Sequence, residues 1–296
     1  MTYITKEDWN QEFIPKLLDD KAFLTELIQI VKIHNILIRL IGLIIKNEKK
    51  PLNMLKQNIL YSSMIYYNKY ILYNKKSHSE ISYENKIIIC SSCIFLSLKV
   101  RDIRLPLDYI SKTILSCIDS NSNKIKYSTD DINNYIIEIE YNILYCNGFN
   151  FEIDNPYAFW KPLIFYFEKK GTEKKITEGI MELFNRNLKT SILFPLYLYY
   201  TSYEIAIGSL SLVKKAKYEF IDIDDFIKEN KLKIDKNNAE QCSLYINKIS
   251  ENLKKKSDEE ENNNKNDSIG EPFSIFDVIA SINTNTNINK YHTIFN

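Results

Sequence analysis

Residues 84–107 read ENKIIICSSCIFLSLKVRDIRLPL. From Ile87 to Leu98 this stretch holds no charged residue and no polar face, only Ser and Cys among Ile, Phe and Leu. A helix that is apolar all round belongs in the middle of a helical domain, and this one is too short to cross a bilayer. Ser91, Ser92 and Ser97 are small enough to let neighbouring helices come close. Lys99 closes the run, where a cation suits the negative end of the helix dipole. The stretch therefore predicts a buried central helix that delivers one lysine to the surface of a helical scaffold with a binding face. Cys90 and Cys93 lie inside it with no second cysteine pair, so buried thiols fit better than half of a zinc site.

The rest of the chain agrees with an all-α protein. It has 296 residues, 45% of them hydrophobic, enough for one large or two ordinary domains with a sizeable core. Only 6 Gly and 7 Pro are present, few for a fold rich in tight turns. Lys plus Arg number 39 and Asp plus Glu 38. That balance argues against gripping phosphate backbones, so no direct nucleic-acid partner is expected. Five scattered cysteines and an N-terminus without a basic segment followed by an apolar one point to a reducing, intracellular compartment. The most apolar rival for a membrane span, residues 30–45, carries Lys32, His34 and Arg39 and reads as a buried helix of a soluble protein.

Two helical units follow from the periodicity. The first covers 23–149 after an N-terminal segment 1–22, with helices over Thr25–Lys46, Leu52–Tyr73, Tyr83–Val100, Leu107–Ile118 and Thr129–Asn147. Pro51 fits a first-turn position. Ser128 with Asp131 forms a capping-box start for the fifth helix, whose Ile132, Ile136, Ile139, Ile143 and Leu144 mark a core face; Gly148 stops it. The second unit covers 150–256, entered at Asn155-Pro156-Tyr157, an N-cap with Pro in the first turn. Its helices are Tyr157–Lys169, Lys174–Leu188, Ser202–Ala216, Ile223–Glu229 and Ala239–Lys255. Thr201 to Glu204 is a full capping box ahead of IAIGSLSLVKK (205–215), which repeats the layout of 87–99: apolar and small residues first, lysines last. Asp222–Asp225 reads as a solvated helix start. Residues 254–270, KKKSDEEENNNKNDSIG, have no periodicity and predict a disordered linker, so 257–296 is a polar linker and loose tail with one short helix around 274–282.

Four segments resemble the cyclin family, and within it the transcription-associated cyclins of the C and H type. NILYSSMIYYNKYIL (58–72) is similar to their second helix, and CIFLSLKV (93–100) to their Cys-x-Phe-Leu-x-x-Lys-Val segment. IEIEYNILYCNGFNFEIDNPY (137–157) resembles their Glu-x-x-Ile-Leu helix, Phe turn and Asn-Pro-Tyr entry to a second box. NRNLKTSILFPLYLYYTSYEIAIGSLSL (185–212) is similar to the approach to that box's central helix. The matches keep their order and spacing over about residues 25–255.

The resemblance implies two tandem five-helix cyclin boxes, the first binding a cyclin-dependent protein kinase. It implies a non-catalytic activator, nuclear, working in transcription or in kinase-activating complexes, with no cofactor and room for a third assembly subunit. It places Lys99 and Glu140 where the family binds backbone groups flanking the kinase αC helix, Lys as donor and Glu as acceptor, with Phe95, Ile143 and Leu144 in the same kinase-binding set. Two departures stand against it. Arg101 and Asp102 occupy the positions where the family has two acidic residues, and VKIHNILIRLIG (31–42) lacks the Met-Arg-x-x-Leu patch for substrate docking. A helical module like general transcription factor IIB would want a zinc ribbon and a basic surface, which this sequence lacks. A cyclin-fold scaffold without a kinase would fit the change at Arg101 and Asp102. No glycine-rich phosphate loop, nucleophile motif or paired metal carboxylates appear.

Overall fold

The computed structural model describes residues 20–45, 52–74, 81–119, 127–151, 153–194 and 196–263. Among them there is no strand. Ten α-helices divide between two compact units, 1–153 and 154–296.

Unit 1 holds α1 (Asp20–Ile44), α2 (Leu52–Tyr73), α3 (Tyr83–Lys99), α4 (Leu107–Asp119) and α5 (Thr129–Cys146). Helix α3 is central and packs against all four others. Every residue from Ile87 to Leu98 is buried. Ser91 and Ser92 donate their hydroxyls back to the carbonyls of Ile87 and Ile88, at 2.8 and 2.9 Å, so burying them leaves no unmet polar atom. Ser97 reaches across to α2, its Oγ 3.0 Å from both Ser62 Oγ and Ser63 Oγ, all three fully buried. Larger side chains in this column would force α2 and α3 apart.

Helix α1 starts at Asp20, one turn before the predicted Thr25. Its stretch Leu27–Ile44 is long and apolar enough to cross a bilayer, yet Leu27, Ile30, Ile33, Leu37, Leu40 and Ile44 are buried and the helix packs on α2 and α3. Arg39 hydrogen-bonds the Tyr83 side chain. Gly42 sits in the last turn of α1, exposed, with nothing within 4 Å of where a Cβ would stand. Gly42→Ala should therefore raise stability through helix propensity, by less than the about 0.5–1 kcal/mol of a helix interior, and urea unfolding checks this.

Unit 2 begins with a 3₁₀ turn at Pro156–Phe159, capped by Asn155, whose Oδ1 accepts from Tyr157 N at 3.0 Å. There follow α6 (Trp160–Lys169), α7 (Lys174–Ile192), a second 3₁₀ turn at Leu196–Leu198, α8 (Ser202–Ala216), α9 (Ile223–Glu229) and α10 (Lys236–Asn263). Helix α8 is central here, packed on α7, α9, α10 and both 3₁₀ turns. Its Gly208 lets α10 come close: a Cβ would lie 2.8 Å from the Ala239 carbonyl oxygen. The Thr201–Glu204 capping box is formed, as is the one between Ser128 and Asp131.

Three expectations need correction. Helix α10 does not end at Lys255 but continues through the polar run to Asn263, so residues 257–263 are not linker. Helix α7 runs on past Leu188 to Ile192. The run Asp222–Asp225 is more than a solvated helix start. Asp222 caps α9 by accepting from Asp225 N at 3.0 Å. Asp225 in turn takes the Tyr166 hydroxyl at 2.9 Å and the Lys170 ammonium at 2.6 Å, tying α9 to the end of α6. Those two donors hold the Asp225 carboxyl below its ordinary range. A depressed carboxylate stabilises the fold at neutral pH and loses that contribution as pH falls through its folded-state value. Pro51 and the short helix expected around 274–282 lie outside the described residues.

All five cysteines are buried and unbridged. Burial pushes the Cys146 thiol up to about 12 and drives Cys90, Cys93 and Cys242 above the ordinary thiol range. Reaction with disulfide reagents needs an accessible thiolate. The native chain should stay unlabelled at pH 8 and release all five thiols on unfolding; fast labelling of any thiol before unfolding would contradict this packing.

Candidate functional site

Where α3 ends, its last residue meets α5. Lys99 Nζ lies 2.7 Å from Glu140 Oε1 and 3.0 Å from Oε2. The two side chains differ in exposure, 50% for Lys99 against 10% for Glu140. The ammonium also sits 4.5 Å from the centroid of the Phe95 ring, one turn back on α3, a cation–π contact. Carboxylate and ring together fix a lysine that a free surface position would leave mobile.

The spacing on α5 explains why a carboxylate stands at that depth. At about 100° per residue, Glu140 falls between two rows. On one side are Ile132, Ile136 and Ile143, all fully buried. On the other is an outward row of Ile137, Tyr141 and Tyr145, of which Ile137 is 52% and Tyr141 55% exposed. Tyr141 and Tyr145 stack edge-on at 4.7 Å with hydroxyls 2.7 Å apart, and Tyr145 stacks on Phe149 at 5.3 Å. Phe149 is 55% exposed and follows Gly148; both hold left-handed backbone, at φ 56 and φ 57. A bulky residue there is strained, and the outcome is a ring held in solvent at the end of the ladder. Val100, next to Lys99, adds another exposed apolar side chain. Val100 on α3 and Ile137, Tyr141 and Phe149 on or just after α5 are thus large apolar side chains left exposed on unit 1.

Of the residues assigned from the resemblance, Lys99, Glu140 and Phe95 come together. Leu144 is half-buried beside the outward row, and its carbonyl accepts from Phe149 N at 3.0 Å. Ile143 needs correction. It points inward and is fully buried, so it supports α5 from the core and cannot touch a partner. Ile139 is likewise not part of the fully buried row.

The residues after Lys99 also gain a physical account. Arg101 turns inward: Nη1 donates to Ser97 O at 2.9 Å and Nη2 to Asn58 O at 3.0 Å, joining the ends of α3 and α2. Asp102 takes the left-handed position after the helix at φ 55, and Ile103 N bonds back to Leu98 O at 3.0 Å, a Schellman-type stop. The basic charge at Arg101 is thus half-buried within the unit. The outward row on α5 was missed in sequence, although tyrosines at i and i+4 after an isoleucine were its signal.

Among the described residues no three His, Cys, Asp or Glu side chains gather as metal ligands. Comparison with protein-family models and with curated proteins found no match for this chain.

Proposed function

We propose that this chain is a cyclin-like regulatory subunit that binds and activates a cyclin-dependent protein kinase, with residues 23–149 as a first cyclin box and 150–256 as a second. The observation that carries this reading is the Lys99–Glu140 pair, fixed at the join between a buried core row and an exposed aromatic row. An ammonium has three N–H donors and a carboxylate about four acceptor positions. Bonding to each other occupies at most two of each. One donor and further acceptor capacity therefore remain for the backbone of a partner segment, already oriented before it arrives. Charge-assisted bonds of this kind are roughly twice as strong as neutral ones. The aromatic row beside them supplies apolar area for the same partner.

Activation then acts through the partner. In a protein kinase the αC glutamate must meet the catalytic lysine for efficient phosphoryl transfer. A subunit that binds only the turned-in αC shifts that equilibrium, and a change from 1:99 to 99:1 needs about 5.5 kcal/mol of differential affinity. An interface above roughly 2,000 Å² is of the size that stable partners use. The chain itself carries no reaction in this scheme, and the site of work is nuclear. Arg101 spends its guanidinium donors on the Ser97 and Asn58 carbonyls of unit 1. The test is affinity capture with the full chain from cells that express it. Recovery of a cyclin-dependent kinase, named by mass spectrometry and lost with Glu140→Lys, supports the proposal; consistent capture of other partners only would overturn it.

A further inference from the structure

In both units a central helix with lysine in its last turn packs against the unit's final helix, α3 on α5 and α8 on α10. Glu140 is the twelfth residue of α5, and Asn247 is the twelfth of α10. In unit 1 that residue neutralises the lysine. In unit 2 it cannot, and its amide instead donates to Glu251 at 2.7 Å, one turn further along α10. A groove of about 400 Å³ opens here between α7, α8 and α10, within the roughly 300–1,000 Å³ range of sites that hold a ligand. Leu183, Leu212 and Leu244 line it together with Arg186, Lys215 and Asn247. Leu244 is 60% exposed although it sits mid-helix on α10. Arg186 and Lys215 are exposed, and among the described residues neither makes an ion pair, not even Arg186 with Glu182 one turn before it. The groove thus offers apolar contact and two uncompensated cations.

We propose that this groove binds an acidic amphipathic helix of a partner protein, its apolar side chains against the three leucines and its carboxylates on Arg186 and Lys215. The chemistry of the lining narrows the choice to this occupant. A small anion, or a nucleic-acid backbone, would leave the leucines in water. A fatty acid would cover them but brings one carboxylate to two cations that stand on different helices, Arg186 on α7 and Lys215 on α8. A helix carries apolar and acidic side chains side by side, because residues three and four apart share a face, and laying such a face into an apolar groove is a recurring mode of recognition. The chain's own acidic run, Asp258–Glu261, contains no apolar residue. A second copy would therefore supply charge without the side chains that cover Leu244. The site uses residues of unit 2 alone, so it stands or falls apart from the kinase contact proposed at Lys99.

Fluorescence anisotropy on the full chain tests this with a dye-labelled helical peptide that has leucines at i, i+3 and i+7 and glutamates flanking them. A control peptide has lysine at every glutamate position. The acidic peptide should bind the native chain about tenfold more tightly than the control. Arg186→Glu with Lys215→Glu should reverse that order, and Leu244→Ser should weaken the acidic peptide by about tenfold. All three substituted side chains are exposed, and a reversed preference can come only from a folded groove. Equal binding of the two peptides would overturn the proposal, as would acidic binding that survives charge reversal, or no binding at about 1 mM peptide. Laurate that binds more tightly than the peptide and is lost with the same substitutions would assign the groove to a lipid and overturn it. A dimer in sedimentation that Leu244→Ser dissolves would assign it to a second copy and overturn it equally.

Discussion

Replacing Lys99 or Glu140 with Ala should weaken binding of a cyclin-dependent kinase roughly ten- to hundredfold, because each removes a charge-assisted bond of about 1.5–3 kcal/mol. Lys175→Ala, an exposed lysine of unit 2, should change little. The two single variants differ in stability, and the difference is informative. The Glu140 side chain is only 10% exposed, so losing Lys99 strands a nearly buried carboxylate, and unit 1 should melt at a lower temperature. Exchanging the two residues, Lys99→Glu with Glu140→Lys, separates packing from recognition. The pair is remade and much of the melting temperature should return. The donor and acceptor now stand in each other's places, so the kinase should still bind poorly. A swapped pair that restores affinity as well as stability would show that the ion pair only holds α3 to α5.

In unit 2 the largest effect on folding is expected at Gly208. A Cβ there would meet the Ala239 carbonyl oxygen at 2.8 Å, Ser243 N at 3.1 Å and Cys242 Cβ at 3.3 Å. Two of the three are backbone atoms of α10, which cannot swing aside as a side chain does. Gly208→Ala gains about 1 kcal/mol of helix propensity but must push α8 and α10 apart, and overpacking costs about 1–3 kcal/mol. The balance runs from near zero to a loss of about 2 kcal/mol; contact with fixed backbone at 2.8 Å puts it on the side of loss, and Gly208→Val, larger and β-branched, should lose more. Urea unfolding measures the change, and faster amide exchange confined to unit 2 locates it. Stability equal to or above that of the native chain would mean that the helices yield at little cost. Gly42→Ala, with its open surroundings, gives the opposite sign from the same chemical change.

How much of this was legible in the sequence depends on burial. Helix starts at Thr129 and Ser202 were readable because Ser128 and Thr201 cap them with side chains, and the central helices stood out because nothing in them can face water. Helix α10 was cut short for the converse reason. Beyond Lys255 it has no apolar period to detect, yet its Lys and Glu residues favour a helix by their own propensity. The site was half visible. Lys99 announced itself as the one charge at the end of an apolar run, whereas its bond to Glu140 joins residues 41 positions apart that only the packing of α3 on α5 brings together. Ile143 was misplaced because a helix with two apolar rows looks, in one dimension, like one broad core face. Arg101 could not be read at all, since its partners are backbone carbonyls, which carry no sequence signal.

Reconstitution decides whether this chain turns a kinase on. The cyclin-dependent kinase recovered with the chain is purified alone, and phosphotransfer to a peptide is followed as full-length chain is added. The chain alone should be silent and the kinase alone slow, and both together should give a saturable rise that the Lys99–Glu140 exchange abolishes. A rate that stays flat across the titration, with the kinase bound, would contradict it.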